Sequence, residues 1–308
     1  MTGSLKLGTR GSRLALRQAE WVQAALAGHG VQAELVVIET RGDAEVDRPL
    51  RELEGTGFFT KEIEEALLAG RVDAAVHSLK DLPTRLPDGL ALAAVPRRAD
   101  PTEALVTRAA GVTALAGLPG GAKIGTSSLR RMAQIRYLRP DLEIVALRGN
   151  VPTRVDKVTE GRDGLAAALL AAAGLERLDL TGRIAARLDP LVVMPAPGQG
   201  ALGLEVRSDD RLTRAALAPL GDPPSARAVA AERGLLAALE GGCQAPVAGW
   251  TGSRIPGPGS RLYGRVTAVD GSVQITASAD IDDGDPAAAG VAVAGLLKAQ
   301  GASRLLAR

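Results

Sequence analysis

Twice in this chain a short apolar run ends in Gly-Thr, passes through serine and enters a helix that carries arginine. The first copy is L-G-T-R-G-S-R-L, Leu7 to Leu14, and the second is I-G-T-S-S-L-R-R, Ile124 to Arg131. An apolar run of strand length before a capping serine predicts strand, tight turn and helix. Its recurrence points to two related α/β domains, each offering a helix N-terminus at a strand end. The neighbouring pattern agrees. Residues 5–9 predict a strand, Ser12 caps a helix to about Leu26, and residues 34–38 predict a second strand. Thr60 caps a helix ending at Gly70, and residues 74–76 predict a buried strand. This alternation implies βαβ units and a mostly parallel sheet. Residues 41–57 between them are polar, glycine-rich and without period, which predicts a long surface loop.

The last part of the chain has another rhythm. Ser225, after Pro223-Pro224, predicts the cap of a helix to about Glu240, followed by the tight loop Gly241-Gly242-Cys243. Residues 262–269 and 273–278 then predict a strand pair about Asp270-Gly271, and a last helix starts near Pro286. That block is α+β. The alanine runs 166–173 and 287–294 read as filling of buried elements. With 308 residues, 46% of them hydrophobic, two or three domains can each bury a core.

Composition removes several function classes. Lys and Arg number 37 against 35 Asp and Glu, for a net charge of +2, so the chain is no basic coat for nucleic acid. Aromatics are 2%, too few for stacking platforms on single strands. No apolar run reaches the roughly 18 residues of a membrane span. One cysteine and two histidines predict neither an internal disulfide nor a metal site. The expectation is a soluble cytoplasmic protein with no nucleic-acid or membrane partner.

Arginine is unevenly spread. Arg130, Arg131, Arg136, Arg139, Arg148 and Arg154 crowd a short stretch with few acids. Ser127 and Ser128 open a helix whose first turn holds Arg130 and Arg131, and Arg148 ends a predicted strand before the turn into Arg154. Backbone N–H groups, hydroxyls and guanidinium forks at strand ends make an anion site, and arginine suits planar carboxylates. Arg136 and Arg139 fit a solvated helix face paired with acids. A second constellation is V-H-S-L-K-D-L-P, Val76 to Pro83. It leaves a buried strand and sets Lys80 beside Asp81 before a proline, where the carboxylate could steady a cation or move a proton, or simply form a surface turn. The third is Cys243. A lone cysteine is commonly a small buried apolar residue, but this one lies in a glycine-flanked loop, and a thiol used as a covalent anchor needs no histidine base.

Five ordered motifs now coincide: V-H-S-L-K-D-L-P, I-G-T-S-S-L-R-R, L-R-G-N-V with Thr153-Arg154, P-A-P-G-Q-G-A-L from Pro195 to Leu202, and L-E-G-G-C-Q-A-P-V from Leu239 to Val247. Together they resemble the porphobilinogen deaminase (hydroxymethylbilane synthase) family from Leu5 to the end of the chain. The resemblance implies a transferase that joins four porphobilinogens head to tail, releases four ammonias and hydrolyses off linear hydroxymethylbilane, in tetrapyrrole and heme biosynthesis. It implies a dipyrromethane cofactor held by a thioether at Cys243, a catalytic carboxylate at Asp81, and no metal. Binding of the pyrrole acetates and propionates then falls to Arg10, Ser12, Lys80, Thr126, Ser127, Ser128, Arg130, Arg131, Arg148, Arg154, Arg177 and Gln199.

The implied fold is α/β, with two type II periplasmic-binding-protein-like domains around a cleft and a smaller C-terminal α+β domain. Domain one takes 1–99 with 200–218, domain two 100–199 and domain three 222–308, the whole expected as a monomer. Residues 41–57 resemble the family's mobile segment, with Phe58 and Phe59 at its base. Three positions depart from the family pattern: Thr56 for a basic residue, Pro152 for glycine, and Leu165-Ala166 for an aromatic–Asp pair. The rival from another class is a non-catalytic carboxylate-binding protein on the same two-lobed fold. It would need neither Cys243 nor a third domain.

Overall fold

Leu5 and Leu7 bury the inner face of β1 (Leu5–Thr9) in a computed structural model that describes residues 4–44, 58–240, 245–252, 260–282 and 284–306. The chain leaves β1 through Ser12, whose hydroxyl accepts the Ala15 amide at 3.3 Å and starts α1 (Arg13–Gly28). Ala15, Ala19, Val22 and Leu26 recur at helical spacing and form the buried stripe of α1. There follow β2 (Ala33–Val37), the single turn α2 (Arg41–Ala44), α3 (Lys61–Leu68), β3 (Ala74–Ser78) and β4 (Leu90–Ala94). Ile63, Ala66 and Leu67 of α3 pack on Val72, Ala75 and Leu90.

The second run comprises β5 (Glu103–Thr107), β6 (Lys123–Gly125), α4 (Leu129–Leu138), β7 (Glu143–Val145), α5 (Val151–Thr159), β8 (Leu165–Ala171), α6 (Ala172–Arg177) and β9 (Ala186–Leu188). The chain then supplies β10 (Leu202–Arg207) and α7 (Arg211–Leu217). The last block is α8 (Pro223–Ala238), β11 (Val247–Gly252), β12 (Arg261–Thr267), β13 (Gln274–Asp280), α9 (Pro286–Ala299) and α10 (Ala302–Leu306). Two units divide the described residues: those up to Ala99 with Gly200–Ala226, and Asp100–Gln199 with those from Arg227 onward.

The first sheet has the order β2-β1-β3-β10-β4 and the second β7-β6-β8-β5-β9. Both follow one plan. The central strand of a parallel trio (β1 or β6) pairs with two parallel neighbours, and the fourth strand (β10 or β5) runs antiparallel to both of its own. The fold is α/β as the sequence predicts, but the sheets are mixed rather than mostly parallel. β10 returns from beyond β9 and is inserted between β3 and β4, an arrangement that no local pattern encodes. Leu202, Leu204 and Val206 of this strand complete the first core with Leu7, Val22 and Val76.

The third sheet, β11-β12-β13, is antiparallel and lies in the second unit. Leu262 and Val266 on β12 pack on Leu235 of α8 and Val293 and Leu297 of α9. A Cβ at Gly264 would come 2.6 Å from Val293 and 2.8 Å from Leu235, so glycine lets β12 approach both helices. The β12–β13 turn is made by Asp270 and Gly271, the latter at φ +78°, with Asp270 Oδ1 accepting the Ser272 amide.

Several local expectations need correction. Ser225 is inside α8, and the carboxylate of Asp222 accepts both its amide (3.0 Å) and its hydroxyl (2.5 Å), so the aspartate caps the helix. Thr60 is the N-cap of α3 as expected, by its backbone carbonyl rather than its hydroxyl, and α3 stops at Leu68, short of Gly70. The stretch predicted as loop from residue 41 begins with the helical turn α2. Residues 45–57, including Thr56, and residues 241–244, including Cys243, lie outside the described residues.

Candidate functional site

In the first unit the turn after β3 is fixed from below. Leu79 is buried, and its amide donates to the Ala201 carbonyl at 3.0 Å. Ser78 exchanges hydrogen bonds with the Gln18 amide group of α1 at 2.9 and 3.2 Å. A single 3-10 turn, Leu79–Asp81, then carries Lys80 and Asp81 to the C-terminal end of the strand, both half-buried. Open α/β sheets bind ligands at such strand ends. Arg10 follows β1, and its guanidinium lies 4.1 Å over the Phe59 ring, a cation–π contact at the base of the segment predicted to be mobile. A Cβ at Gly42 would come 2.1 Å from that ring, so only glycine fits there. The hydroxyl of Ser12, predicted as a ligand group, is engaged in capping α1.

The same unit holds a buried acid cluster that the sequence did not reveal. Glu205 on β10 lies 3.0 Å from His77 on β3, and Glu64 on α3 is near both. Burial raises the Glu64 carboxyl above its ordinary range, and the nearby Glu205 pushes it the same way.

In the second unit the two predicted anion segments are stitched together. Ser127 Oγ donates to the Leu147 carbonyl at 2.9 Å and accepts the Leu147 amide at 3.2 Å, which ties the start of α4 to the residue before Arg148. Thr126 is buried, and its hydroxyl accepts the Ser128 amide. Ser128 is the N-cap of α4 by backbone alone. Beyond Arg148, Gly149 takes φ +106°, and Asn150 Oδ1 accepts the Thr153 amide and hydroxyl at 2.9 and 2.8 Å. Pro152 falls in the first turn of α5, where a missing N–H costs nothing, so this departure from the family pattern is accommodated. Arg154 Nε donates back to the Gly149 carbonyl at 2.7 Å, bringing Arg148 and Arg154 to one turn.

Arg130 and Arg131 are placed otherwise than expected. Both are buried, and both bind the carboxylate of Glu103 on β5. Burial lowers the pKa of Arg130, and the negative charge of Glu103 opposes that shift. Arg177 ends α6, where burial pulls its guanidinium down to about 10. Gln199 is fully buried and donates to the Pro101 and Thr102 carbonyls at 2.9 and 3.4 Å, an internal tie. Arg139 binds Asp141 and the Leu115 and Leu118 carbonyls, and Arg136 binds the Val269 carbonyl. Neither is left for a ligand site.

Two further residues were missed. Gln134 on α4 bonds the Met194 carbonyl and accepts the Met194 amide, and Arg265 on β12 donates to Gln134 at 3.0 Å and to the Leu191 and Val192 carbonyls. Burial pulls Arg265 down to about 10. A charge inside the apolar runs around Glu103 and Arg265 is the one sequence signal that could have marked them, since a buried charge needs a partner. Among the described residues no group of acids, histidines and cysteines is arranged to hold a metal ion.

Known proteins match this chain over nearly its whole length. The family model described as "Porphobilinogen deaminase, dipyromethane cofactor binding domain" matches residues 5–215, and "Porphobilinogen deaminase, C-terminal domain" matches 226–299. A porphobilinogen deaminase of Syntrophobacter fumaroxidans is 49% identical over 89% of this chain and 87% of its own. Those of Geobacter sulfurreducens (47%, 98% and 94%) and a Roseiflexus species (48%, 100% of both) are similar at full length. Among solved structures, a periplasmic substrate-binding protein of an ABC transporter from Coxiella burnetii aligns with TM-score 0.43 and 15% identity, covering 74% of this chain and 96% of that one.

Proposed function

The chain belongs to the porphobilinogen deaminase family, and we propose that Asp81 is its catalytic carboxylate and Cys243 the anchor of its primer. In the same reading Arg10, Ser12, Lys80, Thr126, Ser127, Ser128, Arg130, Arg131, Arg148, Arg154, Arg177 and Gln199 form the carboxylate-binding set. The enzyme is a transferase, a hydroxymethylbilane synthase with a dipyrromethane cofactor, acting on porphobilinogen in porphyrin biosynthesis. The observation that carries the residue assignment is the position of Asp81. It ends the 3-10 turn at the C-terminal end of β3, inside the segment matched by the cofactor-binding-domain model.

The donor set fits the cofactor. Each pyrrole ring bears an acetate and a propionate, and this chain offers Lys80 beside β3 and the Arg148–Arg154 turn beside β7. When bound, dipyrromethane supplies the free pyrrole α-carbon onto which substrate units are joined. The residues of the chain do the rest. Arginine and lysine side chains bind the carboxylates and fix the substrate rings. As ammonia leaves porphobilinogen, positive charge grows on its pyrrole nitrogen, and the half-buried Asp81 carboxylate counters it more strongly than it would in open water. The same oxygen can accept the proton released as rings join.

Three domains, 1–99 with 200–218, 100–199 and 222–308, are part of this proposal, and the three separate sheets support it. So are a monomeric state, a cytoplasmic location and the absence of a nucleic-acid partner, the last of which the near-neutral charge of +2 supports. Among the described residues no helix is long and apolar enough to cross a membrane.

Intact-protein mass spectrometry with an ammonia-release assay tests the assignment. Purified wild type should be heavier than its polypeptide by two pyrrole units, and Cys243→Ala should show the bare mass and no turnover. A bare wild-type mass would instead favour a non-catalytic carboxylate-binding protein.

A further inference from the structure

Arg265 on β12 is buried, yet among the described residues none of its hydrogen bonds goes to an acid. Its Nε donates to Thr276 Oγ1 at 3.2 Å and its NH2 to the Leu191 carbonyl at 2.7 Å. Its NH1 donates to Gln134 Oε1 and to the Val192 carbonyl, each at 3.0 Å. All four acceptors are neutral. The buried Arg130 and Arg131, by contrast, share the carboxylate of Glu103. Asp189 is the acid whose charge Arg265 feels, and its Oδ1 accepts the Leu191 amide at 2.8 Å. Burial lowers the pKa of Arg265 only to about 10, so the guanidinium keeps its charge at neutral pH. A buried charge without a counter-charge is costly.

That charge borders a cleft of about 350 Å³ within the second unit, between the end of α4, the turn after β9 and strands β12 and β13. Leu138, Leu191 and Val192 give the cleft apolar walls, and the exposed Tyr137 adds a flat ring. Thr276 stands opposite Arg265 in the β12–β13 ladder, and Gln274 lies on the diagonal, so the three side chains share one face of the sheet. Among the described residues no hydrogen bond engages the Gln274 amide group or the Tyr137 hydroxyl. The volume is at the small end of ligand sites, roughly 300–1,000 Å³, and suits a single ring with one polar group.

We propose that this cleft binds a small organic anion, a carboxylate carried on a flat apolar body. The carboxylate brings the negative charge that Arg265 lacks. Because the guanidinium nitrogens are already held by protein oxygens, Arg265 offers mainly its charge, in surroundings where charge is weakly screened. The Gln274 amide and the Thr276 hydroxyl supply donors, and the apolar body lies against Leu138, Leu191, Val192 and the Tyr137 ring. None of these side chains belongs to the proposed catalytic or pyrrole-binding set.

The test follows benzoate binding to the holoenzyme by NMR of ring-labelled tyrosine. The chain has two tyrosines, and the Tyr137 signal is identified by its loss in Tyr137→Phe. Benzoate should shift that signal to saturation, and its neutral counterpart benzamide should bind at least about tenfold more weakly. Gln274→Glu is isosteric at a half-buried position and places the chain's own carboxylate beside Arg265. It should weaken benzoate by about tenfold or more while the melting temperature holds or rises. Should that variant fail to fold, Thr276→Glu at the exposed neighbouring position is read in its place. A Tyr137 signal that benzoate leaves unmoved overturns the inference, as it would if benzoate bound only at the pyrrole-binding arginines. Equal affinity for benzamide, or unchanged benzoate affinity in the folded Glu variant, overturns it as well.

Discussion

His77 Nε2 lies 3.0 Å from Glu205 Oε2 across strands β3 and β10, with both side chains buried. Glu205 is opposite Ala75 in the ladder, so it reaches His77 along the diagonal of one sheet face. The pair fastens the returning strand to the strand that carries the Lys80–Asp81 turn. Glu205→Leu would leave the buried His77 ring nitrogen without its hydrogen-bond partner and should cost about 1–3 kcal/mol of stability. The double variant His77→Leu with Glu205→Leu should recover most of that loss. Urea denaturation with an unchanged m-value measures both, and equal instability of single and double variants would show that packing, not the pair, sets the cost.

Glu64 makes stability depend on pH. Burial and Glu205 raise its carboxyl pKa in the fold, while Thr60 and His77 pull it back and Glu62 adds a little to the rise. A group raised on folding stabilises the native state while protonated. That contribution is complete below its ordinary value of 4.5 and is lost as pH climbs through the higher folded value. Glu64→Gln carries no charge to lose. Its melting temperature should rise relative to wild type as pH goes from about 5 to about 8. Paired thermal melts across that range check the sign, and a constant difference would place the ionisation of Glu64 outside the stability balance.

Arg139 and Arg148 are near each other in sequence and should behave oppositely. Arg139 is bound to the Leu115 and Leu118 carbonyls and to Asp141. Arg139→Leu removes two carbonyl bonds and should cost about 1–2 kcal/mol of stability with turnover intact. Arg148 follows the strand end that Ser127 ties down, and in the proposed function it binds pyrrole carboxylates. Arg148→Leu should lose turnover by about tenfold or more at unchanged melting temperature. Equal activity losses in the two variants would make bulk charge, not position, the cause.

What was legible in the sequence was what local chemistry decides. Ser12 before an apolar helical stripe yields α1, Asp270-Gly271 yields the β12–β13 turn, and Val76 to Asp81 yields a buried strand with a polar end. Partners distant in sequence were not legible. Ser127 and the Arg130–Arg131 pair stand out as polar groups within their own segment, but the segment alone does not show the tie of Ser127 to Leu147 or of both arginines to Glu103. Gln199 carries the same lesson, because its amide satisfies carbonyls that precede β5. The family resemblance implied that 200–218 belong with domain one, but the place of β10 within the first sheet escaped for a related reason. Its alternation of Leu202, Leu204 and Val206 marks a strand, but nothing in it specifies the gap between β3 and β4.

Asp81 offers the sharpest test of the mechanism. Asp81→Asn preserves shape and much of the hydrogen bonding of the 3-10 turn while removing the charge and the proton-accepting carboxylate. If the carboxylate counters the cation that forms as ammonia departs, substrate binding should persist, because the arginines and Lys80 hold the acetates and propionates. Turnover should fall by orders of magnitude, since charge stabilisation in a partly dry site is worth several kcal/mol and each ~1.4 kcal/mol is tenfold in rate. Asp81→Glu keeps the charge and displaces it by one methylene, so it should retain measurable activity with a deficit set by misplacement. The competing account gives Asp81 only a role in the turn before Pro83, with a stability loss of about 0–1 kcal/mol and near-normal catalysis in the Asn variant. Single-turnover ammonia release from primer-loaded Asp81→Asn separates the two. Release near the wild-type rate removes Asp81 from the chemistry, whereas slow release with intact substrate binding leaves its charge as the cause.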